Sequence, residues 1–397
     1  MKGFIKVCNL KKDILPLIIV IFIVGLVLFS GNALASAQNG IKLWINIVFP
    51  SLFSFLVASN LLSKSGIVKR FGKLLEPLMR PFFNVPGSGA FPLAMGITSG
   101  YPVGAKLAAD LRKENMVTKD EAERLLTFTN NSGPLFVIGA VASGMFNNPN
   151  VGIILLTAHI MAGITVGIVF RNYKAGRKSY YIKSAKILKK TANSNKKQDE
   201  NVGRMLGDAI GNSVWTMLII GGYIIFFSVL IGLLNETGFL ATISRGITFM
   251  LQPFGVDESI VKSLLCGFFE VSTGASMASN SSAAQIVQLT TAALIMGWGG
   301  LSVHSQVMAI TSDTDISLKP YLFGKFLHGV ISAIYTYIML KMFNEVLMFS
   351  EPVFKEINRY FLLSQQGLFL ASCRYLGLAL AILCILSLMG RIISKKA

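Results

Sequence analysis

Two sets of hydroxyl, amide and ionisable side chains sit inside apolar stretches of this chain. Thr98, Ser99, Gly100 and Gly104 lie in Met95–Lys106, and Glu270, Ser272, Thr273 and Gly274 in Cys266–Ser276. Further along each half comes a second polar group. Asn130, Asn131 and Ser132 precede Pro134, and Ser302, His304, Ser305 and Gln306 follow Gly297-Trp-Gly-Gly300. Hydroxyls and amides at membrane depth are costly unless they face a cavity or one another. Freed backbone N–H groups at the start of a half-helix can cradle an anionic group. The constellation therefore suits a binding site for a small polar or anionic solute. Glu270 reads either as a proton-exchanging carboxylate or as a cap of its own turn. His304 reads either as a group turned toward an anion or a proton relay, or as a neutral histidine bonded within its helix pair. Lys106 either faces the solute or snorkels to the surface. His159 and His328, on otherwise apolar stretches, read as packing, and Asp313 and Asp315 as solvated.

These residues need irregular backbone to hold them. Aligning Gly104-Ala105 with Gly274-Ala275 sets Gly100 opposite Glu270 and Pro102 opposite Ser272. A helix does not run through such glycine density, or through Pro102, without a break. The surrounding chain is apolar enough for those breaks to sit in a bilayer. Of its 397 residues 53% are hydrophobic and 14% charged, with a mean hydropathy of +0.61. A soluble domain carries about 25% charged residues. Interrupted apolar segments at matching places in two halves point to a transporter's binding site.

The expected fold is an all-α polytopic membrane protein of about eight transmembrane helices, at roughly 14–30, 41–62, 128–146, 151–170, 208–234, 284–310, 321–343 and 366–390. Amphipathic pieces at 68–83 and 240–254 precede hairpins at about 88–112 and 258–281. Ala33-Leu-Ala35 looks like a signal-peptidase site, but the apolar run before it is long for a leader, so a retained first helix is expected, with Gly31–Gly40 outside. The net charge of +18 lies mainly between spans: Arg171–Arg204 holds eleven basic residues, whereas Gly31–Gly40 and Asn147–Asn150 hold none. That is a positive-inside pattern rather than a nucleic-acid surface, and it puts both termini in the cytoplasm. The division is an N-terminal helix and external loop (1–40), a first repeat (41–170), a basic cytoplasmic linker (171–207), a second repeat (208–343), and an external segment with a last helix (344–397). The first repeat starts outside and the second inside, so the two are inverted, each with a re-entrant hairpin and a discontinuous helix. The scattered cysteines have no metal spacing. Neither a phosphate-binding loop, HExxH nor GxSxG occurs, so no metal, cofactor or enzymatic activity is expected.

The four motifs Gly96–Leu111 (GITSGYPVGAKLAADL), Thr129–Val141 (TNNSGPLFVIGAV), Gly267–Ser276 (GFFEVSTGAS) and Gly300–Ile310 (GLSVHSQVMAI) resemble the Gate, or nucleoside-recognition, repeats of the YlbJ-type sporulation integral membrane proteins. That family is in turn distantly similar to concentrative nucleoside transporters. The resemblance implies a protein of the mother-cell membrane around the forespore, moving dipicolinate toward the spore. A cation-coupled nucleoside carrier and a non-transporting sporulation scaffold are the alternatives. The expected partners are a small anionic substrate, the bilayer and a coupling proton or cation, with self-association open and no nucleic acid.

Overall fold

The computed structural model describes residues 10–64, 67–175 and 202–348. The C-terminal helix expected at 366–390, both termini and most of the basic linker lie outside the described residues. All elements among the described residues are helical.

The first half opens with α1 (Leu10–Leu28) and α2 (Ser30–Leu43), which meet at a bend of 100°. The backbone then stays helical through a π turn at Trp44–Val48 into α3 (Phe49–Lys64). Helix α4 (Ile67–Phe83) follows, with Leu75, Leu78, Met79 and Phe83 buried along one side. The first hairpin is α5 (Ala90–Ser99) and α6 (Val103–Lys113), joined through Gly100 and a cis Tyr101–Pro102 peptide. Its arms of 10 and 11 residues reach about 16 Å, half the roughly 30 Å of a bilayer core. Helix α7 (Lys119–Thr129) starts on a capping box, in which Thr118 and Glu121 bond each other's backbone N–H groups. It stops at Asn130, and a π-helical segment (Leu135–Met145) continues the path. Helix α8 (Pro149–Phe170) closes the half.

The second half repeats this order. Helix α9 (Val202–Glu236) leads to the amphipathic α10 (Phe239–Leu251) and a 3-10 turn at Gln252–Phe254. The second hairpin is α11 (Glu258–Phe269) and α12 (Val271–Ser279), turning at Glu270. Helix α13 (Gln285–Trp298) breaks at Gly299 and resumes as α14 (Gly300–Thr311), and α15 (Lys319–Met348) ends the described chain. Among the described residues four helical stretches, Pro149–Phe170, Gly203–Glu236, Gln285–Thr311 and Lys319–Met342, are long and apolar enough to cross a membrane, and the bent α1–α2 pair raises this to five. The chain is thus an all-α polytopic membrane protein.

Three expectations change. Gly31–Gly40 is no loop but most of α2, laid along α9: a Cβ on Gly232 would meet Ser36, and one on Gly40 would stand 3.0 Å from Ile225 Cα. The small residues that resemble a cleavage site let two helices approach closely. The first interrupted helix begins at Lys119, earlier than the apolar run from 128, and acids of its first turns are held by ion pairs. Glu121 takes Arg80 at 2.6 Å, and Glu123 takes Lys174 at 2.7 Å and the Ser317 N–H at 3.1 Å. Asp315 is not freely solvated. Arg112 of α6 grips it bidentately at 2.8 and 3.0 Å, and Lys113 stands 3.5 Å from Asp313.

The halves interlock. Helix α6 packs on α14, and α12 packs on the π segment. Corresponding helices run antiparallel: Gly163 of α8 faces His328 of α15, and Phe170 lies beside Phe323. Helix α13 lies backbone-to-backbone on α15, where a Cβ on Gly297 would be 2.5 Å from Gly329 Cα.

Gly104 and Gly274 let backbone pack closely at the two hairpins, Gly104 against the end of α7 and Gly274 against the opposite arm. A methyl group at 104 would overlap the Thr129 carbonyl, and one at 274 the Gly267 backbone. Gly104→Ala and Gly274→Ala should each destabilise the detergent-solubilised protein by about 1–3 kcal/mol, the usual cost of overpacking. An unchanged melting temperature in both would show that the neighbouring backbone yields.

Arg112 holds the Asp315 carboxyl below the ordinary carboxylate range, chiefly by hydrogen bonding. A depressed acid stabilises the fold above its unfolded value and loses that contribution as pH falls through the folded one. Asp315 is 49% exposed, so the contribution stays below about 1 kcal/mol. Asp315→Asn should melt slightly below wild type at neutral pH, and the gap should close below about pH 4. A gap that persists in acid would assign it to something other than the ion pair.

Candidate functional site

Where a helix breaks inside an apolar bundle, the freed backbone groups need partners from elsewhere in the protein. Residues 130–133 supply such a break, and side chains of α8 and α15 complete it. The Asn130 carbonyl accepts from Lys325 Nζ at 3.0 Å, and the Ser132 N–H donates to His159 Nε2 at 3.0 Å. Lys325 is fully buried and also donates to His328 Nδ1 at 3.2 Å. His328 Nε2 donates to the His159 carbonyl at 2.9 Å, which fixes the ring as the Nε2–H tautomer. The His159 and His328 rings lie 4.3 Å apart. No carboxylate among the described residues pairs with Lys325.

The break of the second half reaches the same centre through Tyr321. Its hydroxyl accepts from Asn130 Nδ2 at 3.0 Å and donates to His304 Nδ1 at 3.0 Å. Trp298 meets the His304 ring edge-on at 4.3 Å. Gly299, with φ +89, turns the chain between α13 and α14 in a conformation that side chains disfavour. The tip of the first hairpin arrives from a third direction. Ser132 Oγ donates to Tyr101 Oη at 2.8 Å, and Gly100, also at φ +89, abuts the backbone of Gly133.

Several buried polar atoms here have no partner among the described residues: Ser99 Oγ, Thr129 Oγ1, Asn130 Oδ1, Asn131 Oδ1, His159 Nδ1 and His304 Nε2. A buried donor or acceptor left unpaired costs about 1–3 kcal/mol. With Lys325 beside the Asn130 carbonyl, the hydroxyls and ring nitrogens suit a small solute that carries negative charge and accepts hydrogen bonds, while the two amide oxygens call for a donor on it.

Of the residues singled out in the sequence, Ser99, Gly100, Asn130, Asn131, Ser132 and His304 come together here. Asn131 spends its amide on the Phe128 carbonyl at 2.9 Å and keeps Oδ1 free. Thr98 bonds back to the Ala94 carbonyl at 2.9 Å within α5. Gly104 and Gly274 pack the hairpins, and Gln306 lies 3.5 Å from buried Ser302 on α14, where Ser305 is half-buried. Glu270 is 3% exposed and caps α12: its oxygens accept from the Ser272 N–H at 3.0 Å, the Thr273 N–H at 2.7 Å and Thr273 Oγ1 at 2.8 Å. Lys106 neither snorkels nor faces this centre, since its ammonium joins Asp110 and Asn60, each at 3.1 Å.

Sequence reasoning missed Lys325, Tyr321 and Tyr101, and it took His159 and His328 for packing. A signal was present in α15. Tyr321, Lys325, His328, Ser332 and Thr336 fall on one helical face, and all five are fully buried. A polar stripe on an otherwise apolar span turns inward.

The comparisons with known proteins agree with this architecture. The Gate family, described as nucleoside recognition, matches residues 45–163 and 217–340, one stretch in each half. The chain is 40% identical over 321 residues to the sporulation integral membrane protein YlbJ of Bacillus subtilis (strain 168), with 77% of each chain covered. No solved structure matches. The fold, its doubled Gate region and this similarity together place the chain in the Gate family, among the YlbJ-type sporulation integral membrane proteins.

Proposed function

We propose that this protein is a secondary transporter for a small organic anion, and that its substrate during sporulation is dipicolinate, moved across the outer forespore membrane from mother cell to forespore. The observation that carries this reading is the meeting of three backbone breaks, at 100–102, 130–133 and 299, around the buried and carboxylate-free Lys325. A lone buried cation is costly to keep, whereas one completed by a passing anion is useful. Dipicolinate, a small aromatic dianion, matches a centre with free donors at His304 Nε2 and His159 Nδ1. Alternating access follows from two inverted halves, 41–170 and 208–343, rocking around that centre. The antiparallel pairing of α8 with α15 supports the inversion. On this reading both termini are cytoplasmic.

One observation favours a second reading. The free amide oxygens of Asn130 and Asn131 suit the N–H edges of a nucleobase, and the family description is nucleoside recognition. Flux measurements separate the two. Proteoliposomes containing only this protein should accumulate labelled dipicolinate, and unlabelled dipicolinate should compete where uridine does not. Uridine uptake without dipicolinate uptake would reverse the assignment. The inverted arrangement has its own check in single cysteines on a cysteine-free background. Asn115→Cys should react only from the cytoplasmic face, and Asn147→Cys and Ala284→Cys only from the opposite one. Reaction of Asn115→Cys and Ala284→Cys from the same face would exclude hairpins that dip from opposite sides.

A further inference from the structure

Lys325 has two protein acceptors, the Asn130 carbonyl at 3.0 Å and His328 Nδ1 at 3.2 Å. A neutral amine has two N–H bonds, and these acceptors take both. An ammonium has a third N–H, which no described residue accepts. The charged form therefore needs a further acceptor from beyond the described residues, and an anion in that place also offsets its buried charge. The surroundings do not offer one. His328 lies on the same helix, His159 faces it from α8, and His304 and Tyr321 close the side toward α14. Tyr101 approaches on the first hairpin, and α13 presents no ionisable side chain to it. Glu270, on the second hairpin next to Gly300, has committed both oxygens to its own helix. The acids of α7 are paired with Arg80 and Lys174 at its far end.

We propose that Lys325 carries the proton that crosses with each substrate anion, its ammonium form holding a carboxylate at the level of the breaks and its amine form returning empty. The lone pair on Nζ takes a proton from a hydronium ion on the face where the anion arrives, so that an N–H bond forms as an O–H bond breaks and water is left. On the opposite face that bond breaks, and proton and anion leave together. One anion and one proton thus move in the same direction per cycle. The site and its substrate class rest on the anion-carrier reading above; the coupling does not follow from it, because an anion carrier need not move protons.

The test uses the full chain in proteoliposomes enclosing a pH-sensitive dye, with dipicolinate as the probe at a pH well above the carboxylate range, so that the substrate itself brings no proton. For wild type, uptake should acidify the lumen by one proton per dipicolinate and should accelerate when the outside is made more acidic than the lumen. Lys325→Met should lose net uptake by at least about 100-fold, as expected when one partner of a buried charge pair is removed. Lys325→Arg stays charged and so cannot return empty. It should lose net uptake yet still exchange labelled for unlabelled dipicolinate, a split that a merely structural lysine would not produce. Wild-type dipicolinate flux with no proton movement, or net uptake by Lys325→Arg at the wild-type rate, would overturn the assignment of Lys325 while leaving the carrier reading intact. No dipicolinate flux in wild type would instead overturn the carrier reading, and the lysine's role with it. The wild-type proton count decides the matter even where Lys325→Met fails to fold.

Discussion

A peptide group inside a bilayer must find its hydrogen bonds within the protein, and much of this fold follows from that constraint. Each half interrupts its helices where water cannot help, and distant side chains make good the loss. At 130–133 the replacements are the lysine of α15 and a histidine of α8. At 270 they come from the residue itself, whose carboxylate takes the first N–H groups of α12. The two solutions differ in kind. One is local and closed, the other spans the two halves and leaves unpaired atoms behind. That difference makes the centre around Lys325 the part of the molecule with chemistry still to do.

The polar stripe of α15 gives the centre its direction. Tyr321, Lys325, His328, Ser332 and Thr336 cover four turns of one face, long enough to extend through much of a bilayer's apolar core. Neighbouring helices hold it in place. The backbone contact of Gly297 with Gly329 fixes α13 against it, and the His159–His328 pair fixes α8.

Much of the architecture was legible in the sequence because membrane helices announce themselves by composition and hairpins by glycine. The hairpins at 90–113 and 258–279, the amphipathic α4 and α10, and the interruptions near Asn130 and Gly299 all fall close to where residue types put them. What misled were residues whose meaning depends on a partner far away in sequence. Small side chains at 30–40 read as a loop until α9 is laid against them. The acids Glu121 and Glu123 take their place in the bundle only when Arg80, Lys174 and the 317 backbone are brought to them. His159 and His328, each alone on an apolar helix, gave no sign of each other or of the lysine beside His328. Lys325 was overlooked because a single basic residue near a span's end is ordinarily a snorkelling one, and only its helical phase with Tyr321 and His328 argues otherwise.

The seam between α2 and α9 bears on how the chain is made. Its two sides are Ser30–Leu43 and Val202–Glu236, so the groove-forming residues Ser36 and Gly40 leave the ribosome long before Ile225 and Gly232. At a synthesis rate of about 5–20 residues per second the interval is on the order of 10–40 seconds. The first half also lacks Ser213 for its Asn60 amide through most of it, and Lys325 for its Asn130 carbonyl until still later. The emerging half must therefore wait in the membrane with a helix face and a backbone break uncovered. Membrane insertion factors and lipids have that interval in which to hold it, and the final architecture is reached only once translation has passed α15.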